Sequence, residues 1–475
     1  MKRESRLSLV LVPERAASED NSVNESTRLL PPARPRFKPY PTYKDSGVEW
    51  LGEIPAGWSL KRLKRVVRFQ GGGTPTKNNI EYWRGNIPWV SPKDMKVSMV
   101  LDTEDKITAE AICESATKLV PAGSVLIVVR SGILVHSIPV ALAGREVTLN
   151  QDLKAMIPRS DLAPKYLMYL ISGMQRELLI EWKKEGATVE SLGLESVANT
   201  RTPLPSIAEQ RAIAAFLDRE TARIDALVAK KERLIALLHE KRTALITRAV
   251  TKGLDPNVPM KDSGVEWLGE IPAHWEVVKT TWLFSIGSGT TPRSEDPAYY
   301  GGELPWITTS ELRESVVVAT EKSVTEEALR DFSSLKVHPK GSVAVAMYGA
   351  TIGRLGILGV PATVNQACCV FSNPTGIDTW FWFYWLQMRR PHLISLGYGA
   401  GQPNLSQELL RSLRVPTPPL PEQRAIAAFL DREAASVQAL VAKIRDAIAR
   451  LTELRTGLIS AAVTGKIDVR EEATA

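Results

Sequence analysis

The chain has 475 residues, 44% of them hydrophobic, which is more than one ordinary domain holds, so two or more domains with real cores are expected. Sixty Lys and Arg against 53 Asp and Glu give a formal net charge of +7, a modest excess that favours an acidic partner such as nucleic acid without naming one. Three cysteines, Cys113 and the adjacent Cys368 and Cys369, cannot frame a disulfide fold, and no apolar run approaches the ~20 residues of a membrane helix, so a reduced, cytoplasmic chain without membrane association is expected.

Residues 1–40 are rich in Pro, Arg and Ser and lack periodicity, the pattern of a flexible tail. Beyond them the chain is written twice. Lys44 to Ala56 reads KDSGVEWLGEIPA, and Lys261 to Ala273 repeats the same letters at an offset of 217. Trp58 matches Trp275, Thr74-Pro75 matches Thr291-Pro292, and Pro88-Trp89 matches Pro305-Trp306. Asn150-Gln151 corresponds to Asn365-Gln366, and Glu209 to Glu220 (EQRAIAAFLDRE) recurs at Glu422 to Glu433. The order is therefore module, helix, module, helix: 41–204, 205–253, 254–415 and 416–467, with 468–475 as a second tail. Two copies are too few for a solenoid and suit a pseudo-two-fold molecule in one chain. The frames of the two modules agree while their interiors differ, as expected of one job done on two targets; the alternative is a duplication that drifted without new function.

Each module opens on the repeated tryptophan segment and a glycine turn, Gly71 to Pro75 and Gly287 to Pro292. An aromatic-proline segment follows, then β-rich stretches at Ser124 to Val129 and Ser342 to Met347. Polar turns come next, at Arg130-Ser131-Gly132 and Tyr348-Gly349-Ala350-Thr351, then helices near Ala163 to Ile180 and Asp378 to Ile394. A second glycine loop closes each module, Gly186-Ala187-Thr188 and Gly399 to Asn404. The pattern predicts mixed α+β domains. The glycine turns match no P-loop or dinucleotide fingerprint, and as DNA-facing loops or as plain turns they read equally well. The basic run Lys61, Arg62, Lys64, Arg65 and Arg68 suits phosphates or a solvated face, and the second copy lacks it. The aromatic run Phe381 to Trp385 reads as core.

Both helical segments follow proline-rich stops and are rich in Ala, Leu, Glu, Lys and Arg. In the first, Leu217, Ile224, Lys231, Leu238 and Leu245 recur every seven residues, with Ile213, Glu220, Leu227, Leu234 and Lys241 as a companion row. In the second the rows are Leu430, Val437, Ile444, Leu451 and Leu458, with Ile426, Glu433, Leu440, Ala447 and Leu454. The apolar members of these rows are the expected helix–helix seam. Gly253 and Gly465 stand as helix stops. Chain order makes the two helices antiparallel partners; the rival is a coiled coil formed between chains. The expected fold class is α+β: two mixed modules separated by two long antiparallel coiled-coil helices, with a pseudo-two-fold internal repeat.

Base reading needs Arg, Lys, Asn, Gln, Ser or Thr on loops that reach a groove. By position and type the candidates are Thr74, Lys77, Lys93, Arg130 and Ser131 in the first module, and Arg293, Thr308, Thr309, Ser310, Tyr348, Thr351, Arg354, Gln402 and Asn404 in the second. Catalytic kits are not evident. Asn373-Pro374-Thr375-Gly376 lacks the aromatic of an amino-methyltransferase motif, there is no Walker loop or His-Glu-x-x-His, and the cysteines and five scattered histidines make no zinc site.

Taken in order, these cues resemble the specificity (S) subunit of type I restriction-modification systems over about residues 41–467. They are the Gly-Thr-Pro turn, the Gly-Ser-Val strand leading to Arg-Ser-Gly or Tyr-Gly-Ala-Thr-Ile-Gly, the Asn-Gln pair, and the Leu-Pro-x-x-x-Glu-Gln-Arg entry into a long helix. The resemblance implies a non-catalytic chain in host defence, with two target recognition domains each reading half of a bipartite double-stranded DNA site. It implies spacer helices, two modification subunits that use S-adenosylmethionine to methylate adenine, and restriction subunits that use ATP and Mg2+; this chain itself would bind no cofactor and no metal. The first module departs from the fuller pattern at Ile133 to His136, where the second has Thr351 to Arg354, and at Thr188-Val189-Glu190, where the second has Gln402-Pro403-Asn404. The other reading of the same residues is a coiled-coil scaffold whose modules bind protein.

Overall fold

The structure, a computed structural model, describes residues 37–184, 189–397 and 404–471. Two compact units emerge, the described parts of Met1–Arg219 with Thr456–Ala475, and Glu220–Arg455. Both have the same topology. In the first, a five-stranded sheet runs in the order Val67–Gly71, Leu153–Pro158, Val125–Val128, Val140–Ala143, Met99–Val100. A three-stranded sheet sets Ile87–Val90 between Thr148–Leu149 and Lys106–Ile107. The second unit repeats this with Ser285–Ser288, Cys368–Ser372, Val343–Ala346, Leu355–Leu358 and Ser315–Val317, and with Tyr300–Ile307 between Ser323–Val324 and Thr363–Val364. Within each large sheet only the last pairing is parallel, Met99–Val100 on Val140–Ala143 and Ser315–Val317 on Leu355–Leu358.

The central strands are apolar at every position because both faces are covered: Val125 to Val128 and Val343 to Ala346 are all buried. The aromatic run forms core. Phe381, Trp382 and Trp385 in the helix Thr379–Ser395 are fully buried, packed with Trp275, Phe284 and Phe371. Cys368 and Cys369 lie in the same sheet as free thiols, and burial pushes each up to about 12. The single helix expected over Ala163 to Ile180 is two, Pro164–Gly173 and Gln175–Trp182, broken at Met174.

The long helices are continuous, Ile207–Lys252 with 46 residues and Leu420–Val463 with 44. Gly253 and Gly465 follow their ends with φ of +75° and +74°, the left-handed conformation that glycine adopts without strain and that stops a helix. Within the second unit the helices run antiparallel. Arg455 Nε meets Asp225 Oδ1 at 2.9 Å, while Ile246, Ala249 and Val250 of the first helix share a core with Ile426 and Leu430 of the second. In the first unit the end of the second helix packs on the module, with Tyr166 Oη donating to the carbonyls of Pro203 and Val463.

One expected row of each helix is inward along its length, whereas the companion row is buried only at Ile213, Glu220 and Ile426. Leu217, Ile224, Leu430, Val437, Ile444 and Leu458 are buried, Leu238, Leu245 and Leu451 half-buried, and Ile213 and Ile426 buried at the module ends. Leu227, Leu234, Leu440 and Leu454, expected in the seam, are 40%, 44%, 43% and 55% exposed. The inward companion rows are instead Thr221, Val228, Ile235, Arg242 and Ala249, and Ala427, Ala434, Val441, Ile448, Arg455 and Ala462. The seam steps +4 then +3 from Leu217, where the expected row steps +3 then +4; both fit a heptad, and packing selects one.

Among the described residues no helix is long and apolar enough to cross a membrane. Residues 1–36, most of the expected tail, lie outside the described residues, as do 472–475.

Candidate nucleic-acid interface

The repeated letters build frames before they build any surface. Glu209, in the first turn of its helix, accepts hydrogen bonds from Trp58 Nε1 (3.1 Å) and Tyr40 Oη (2.7 Å). Glu422 takes the same place for Trp275 Nε1 at 3.2 Å. Gln210 and Gln423 are fully buried and bond three backbone groups each. Asp218 accepts from Tyr169 Oη at 2.7 Å and Asp431 from Tyr384 Oη at 2.6 Å. The repeated helix entry is thus the joint between module and helix.

The Asn-Gln turns gather the loops. In the first module Asn150 N–H donates to Val90 O (2.9 Å), Gly73 N–H to Leu149 O (2.8 Å) and Val129 N–H to Asp152 O (2.8 Å). Segments starting at Gly73, Val90 and Val129 therefore all emerge around Asn150, Gln151 and Asp152. Thr74 Oγ1 bonds Gln151 Oε1 across the turn. The approach is close enough to require glycine: a Cβ on Gly72 would sit 2.1 Å from Asn150 O, and one on Gly289 1.7 Å from Val364 O. The glycine turns are explained by this packing.

The second module repeats the arrangement. Asn365 N–H donates to Ile307 O (3.0 Å), Met347 N–H to Ala367 O (2.8 Å) and Leu405 N–H to Met347 O (2.7 Å), and Thr291 Oγ1 bonds Gln366 Oε1. Tyr348 pairs through its backbone with Asn404. Thr308 heads a capped turn that carries Thr309 and Ser310, with its N–H on Glu311 Oε2 at 2.8 Å.

The structure thus brings Thr74, Arg130 and Ser131 to one turn, and Tyr348, Asn404 and the segments bearing Arg293 and Thr308 to the other. Arg130 Nε donates to Asp152 Oδ1 at 2.6 Å. Ser131 Oγ caps the short turn Gly132–Val135. Lys77 and Arg293 are exposed. Lys93 is held by Glu104 and Asp105, each at 2.9 Å, and those carboxylates keep its ammonium above the usual lysine range. That pairing leaves it a poorer phosphate ligand than a free lysine. Thr351 ends the short turn Gly349–Thr351, and Arg354 is half-buried beyond it. Gln402 lies outside the described residues.

Asn150, Gln151, Asp152, Asn365 and Gln366 join the site although their residue types alone do not single them out; the repetition of the Asn-Gln pair beside the Thr-Pro turns is the signal. Among the described residues no three His, Cys, Asp or Glu side chains gather as a metal would require.

The model of the type I restriction modification DNA specificity domain matches twice, at residues 55–236 and 272–450. The chain is 42% identical to the type I restriction enzyme EcoR124I/EcoR124II specificity subunit of Escherichia coli over 179 residues, 38% of this chain and 42% of that one. It is 25% identical to the MjaIX specificity subunit of Methanocaldococcus jannaschii over 434 residues, 89% of this chain and 96% of that one. Among solved structures it shares the fold of a chain of a type I R-M system, with a TM-score of 0.63, 19% identity, and 86% and 98% of the two chains covered. The HsdS subunit from Thermoanaerobacter tengcongensis superposes with a TM-score of 0.53, 18% identity, and 87% and 98% covered. With the doubled module, the doubled helix entry and both family matches in register, the chain belongs to the type I restriction modification DNA specificity family, as a DNA-recognising specificity subunit and not a catalytic one.

Proposed function

We propose that each module reads one half of a bipartite site on double-stranded DNA through the loops gathered at its Asn-Gln turn. The observation that carries this is the contrast between frame and loops. The two turns share backbone bonds almost residue for residue, yet Arg130 and Asp152 in one stand where Tyr348 and Ala367 stand in the other. One scaffold offering two different sets of donors suits two different target sequences. Two weak readers on one chain gain affinity by effective concentration.

The long helices then set the gap between half-sites, and their outer faces dock two modification subunits. The outward leucines Leu227, Leu234, Leu440 and Leu454 support this reading, because apolar rows left open on a solvent face mark protein contacts. In such an assembly S-adenosylmethionine, ATP and Mg2+ serve the modification and restriction subunits, and this chain supplies the address.

The test is genome-wide adenine methylation in a host carrying the modification subunit, with and without this chain. A two-part motif of constant gap that appears only with the chain is expected. An unchanged pattern, together with no salt-dependent DNA affinity of the assembled complex, would favour a protein-binding scaffold. For the docking face, Leu227→Glu combined with Leu440→Glu should weaken association with the modification subunit at least tenfold, since removing two interface anchors costs about 1.4 kcal/mol or more. The melting temperature of the free chain should be unchanged because both residues face outward; undiminished association would remove these leucines from the interface.

A further inference from the structure

Arg130 and Asp152 form a unit that the second module replaces as a pair. Val129 N–H on Asp152 O and Met347 N–H on Ala367 O are equivalent bonds at 2.8 Å, so Arg130 aligns with Tyr348 and Asp152 with Ala367. Arginine and its carboxylate are both present in one copy and both absent from the other.

The geometry of the pair is specific. Asp152 Oδ1 takes Arg130 Nε at 2.6 Å, so it holds the base of the guanidinium fork. The two terminal amino groups, the fork's outward edge, have no hydrogen-bond partner among the described residues. Asp152 is itself fixed: its N–H donates to Asn150 Oδ1 (3.0 Å), and its second oxygen accepts from Asn150 Nδ2 (3.1 Å). The arginine side chain is 53% exposed and the aspartate 21%. The carboxylate therefore lies beneath and the fork faces outward.

A phosphate contact calls for free positive charge, and a carboxylate on the same guanidinium reduces it. A base contact calls for direction. Two parallel N–H groups at a fixed angle match guanine O6 and N7 in the major groove, and no other base presents two acceptors there. We propose that Arg130 reads a guanine in the first half-site, with Asp152 as its positioning residue, and that the second half-site is read by different chemistry at Tyr348. This rests on the proposal above that the gathered loops face DNA.

The experiment uses the complete chain with its modification subunits and reads the methylated motif for Arg130→Ala, Arg130→Lys, Asp152→Asn, the double variant Arg130→Ala with Asp152→Asn, and Tyr348→Ala. Arg130→Ala should relax one G·C position of the first half-site by roughly tenfold to a hundredfold and leave the second half unchanged. Arg130→Lys should relax the same position, because an ammonium keeps the charge and loses the fork. That variant also guards against a folding defect, since a lysine can still pair with Asp152. Asp152→Asn should relax the same position less. The double variant should equal Arg130→Ala, since a positioning residue acts only through the group it positions. A structural role for Asp152 would instead lower the melting temperature without moving one base.

Uniform loss of binding at all sequences, with a salt slope reduced by about one, would make Arg130 a phosphate ligand and overturn the proposal. Relaxation at a position other than G·C would overturn it as well. If Arg130→Ala changes nothing while Tyr348→Ala alters the second half-site, the proposal fails and the loop reading survives. If neither variant changes the motif, the loop reading fails with it.

Discussion

Inserting four residues between Leu227 and Lys230 is expected to widen the gap between the two methylated half-sites while leaving the bases of each half unchanged. The first long helix runs without interruption from Ile207 to Lys252, and four residues add about 6 Å at ~1.5 Å per residue. Base pairs rise about 3.4 Å, so one or two extra base pairs are expected. The insertion also turns the helix by about 40° beyond a full turn, close to the twist of one base pair at ~10 per turn. Rise and rotation thus favour an integral change over a graded blur. Four residues break the heptad that Leu217, Ile224, Lys231, Leu238 and Leu245 follow, so some loss of stability accompanies the shift. Seven residues added at the same point keep the heptad and should lengthen the gap by about three base pairs. Sequencing of methylated adenines reads the gap directly. A motif with its original gap after either insertion would remove the spacer role from this helix.

The architecture was legible because the chain states it twice. A thirteen-letter repeat, a repeated helix entry and two glycines at the helix ends define modules and helices without any knowledge of contacts. The seam was only half legible. From Leu217 a heptad can be completed at Glu220 or at Thr221, and both rows carry apolar residues, Leu227 and Leu234 on the first and Val228 and Ile235 on the second. Both Glu220 and Thr221 are buried, but beyond them the rows part: Val228, Ile235 and Arg242 are half-buried and those leucines exposed. A helix carrying two apolar rows cannot announce which one meets its partner helix and which faces outward. Lys93 illustrates the same limit at the candidate site. By residue type it is a candidate DNA contact, yet a chain reversal brings back Glu104 and Asp105 to pair with it. The Asn-Gln turns were visible as repeats and silent as hubs, because their work is done by backbone groups that carry no letter.

Replacing Gln210 by Ala is expected to destabilise the first unit, and replacing Gln423 by Ala the second, by about 3 kcal/mol each. Gln210 is fully buried. Its Oε1 accepts from Ala163 N–H (2.8 Å), and its Nε2 donates to the carbonyls of Asp161 (2.9 Å) and Pro205 (3.0 Å). Gln423 does the same for Asp378 N–H (2.7 Å), Gly376 O (3.0 Å) and Pro418 O (2.7 Å). Alanine leaves three backbone groups short of a partner, each worth about 1–3 kcal/mol when buried, and water entering the space recovers part of that. Hydrogen exchange should lose protection around residues 161–163 in one variant and 376–378 in the other. Equal loss in both units, or a change below ~0.5 kcal/mol, would deny these glutamines their role as joints. Glu in place of Gln210 gives the sharper test. Its carboxylate would be buried facing two carbonyl oxygens, so its folded pKa must lie above the ordinary ~4.3 of the unfolded chain. The folded state then binds the proton more tightly than the unfolded state. Relative stability is therefore greatest below the unfolded value and is lost as pH rises through the folded one. Gln210→Glu should be weakest at neutral pH and should regain stability towards pH 5, where a protonated carboxyl can again donate to a carbonyl. A flat profile across that range would mean the side chain swings out to water, and that the joint tolerates losing all three bonds.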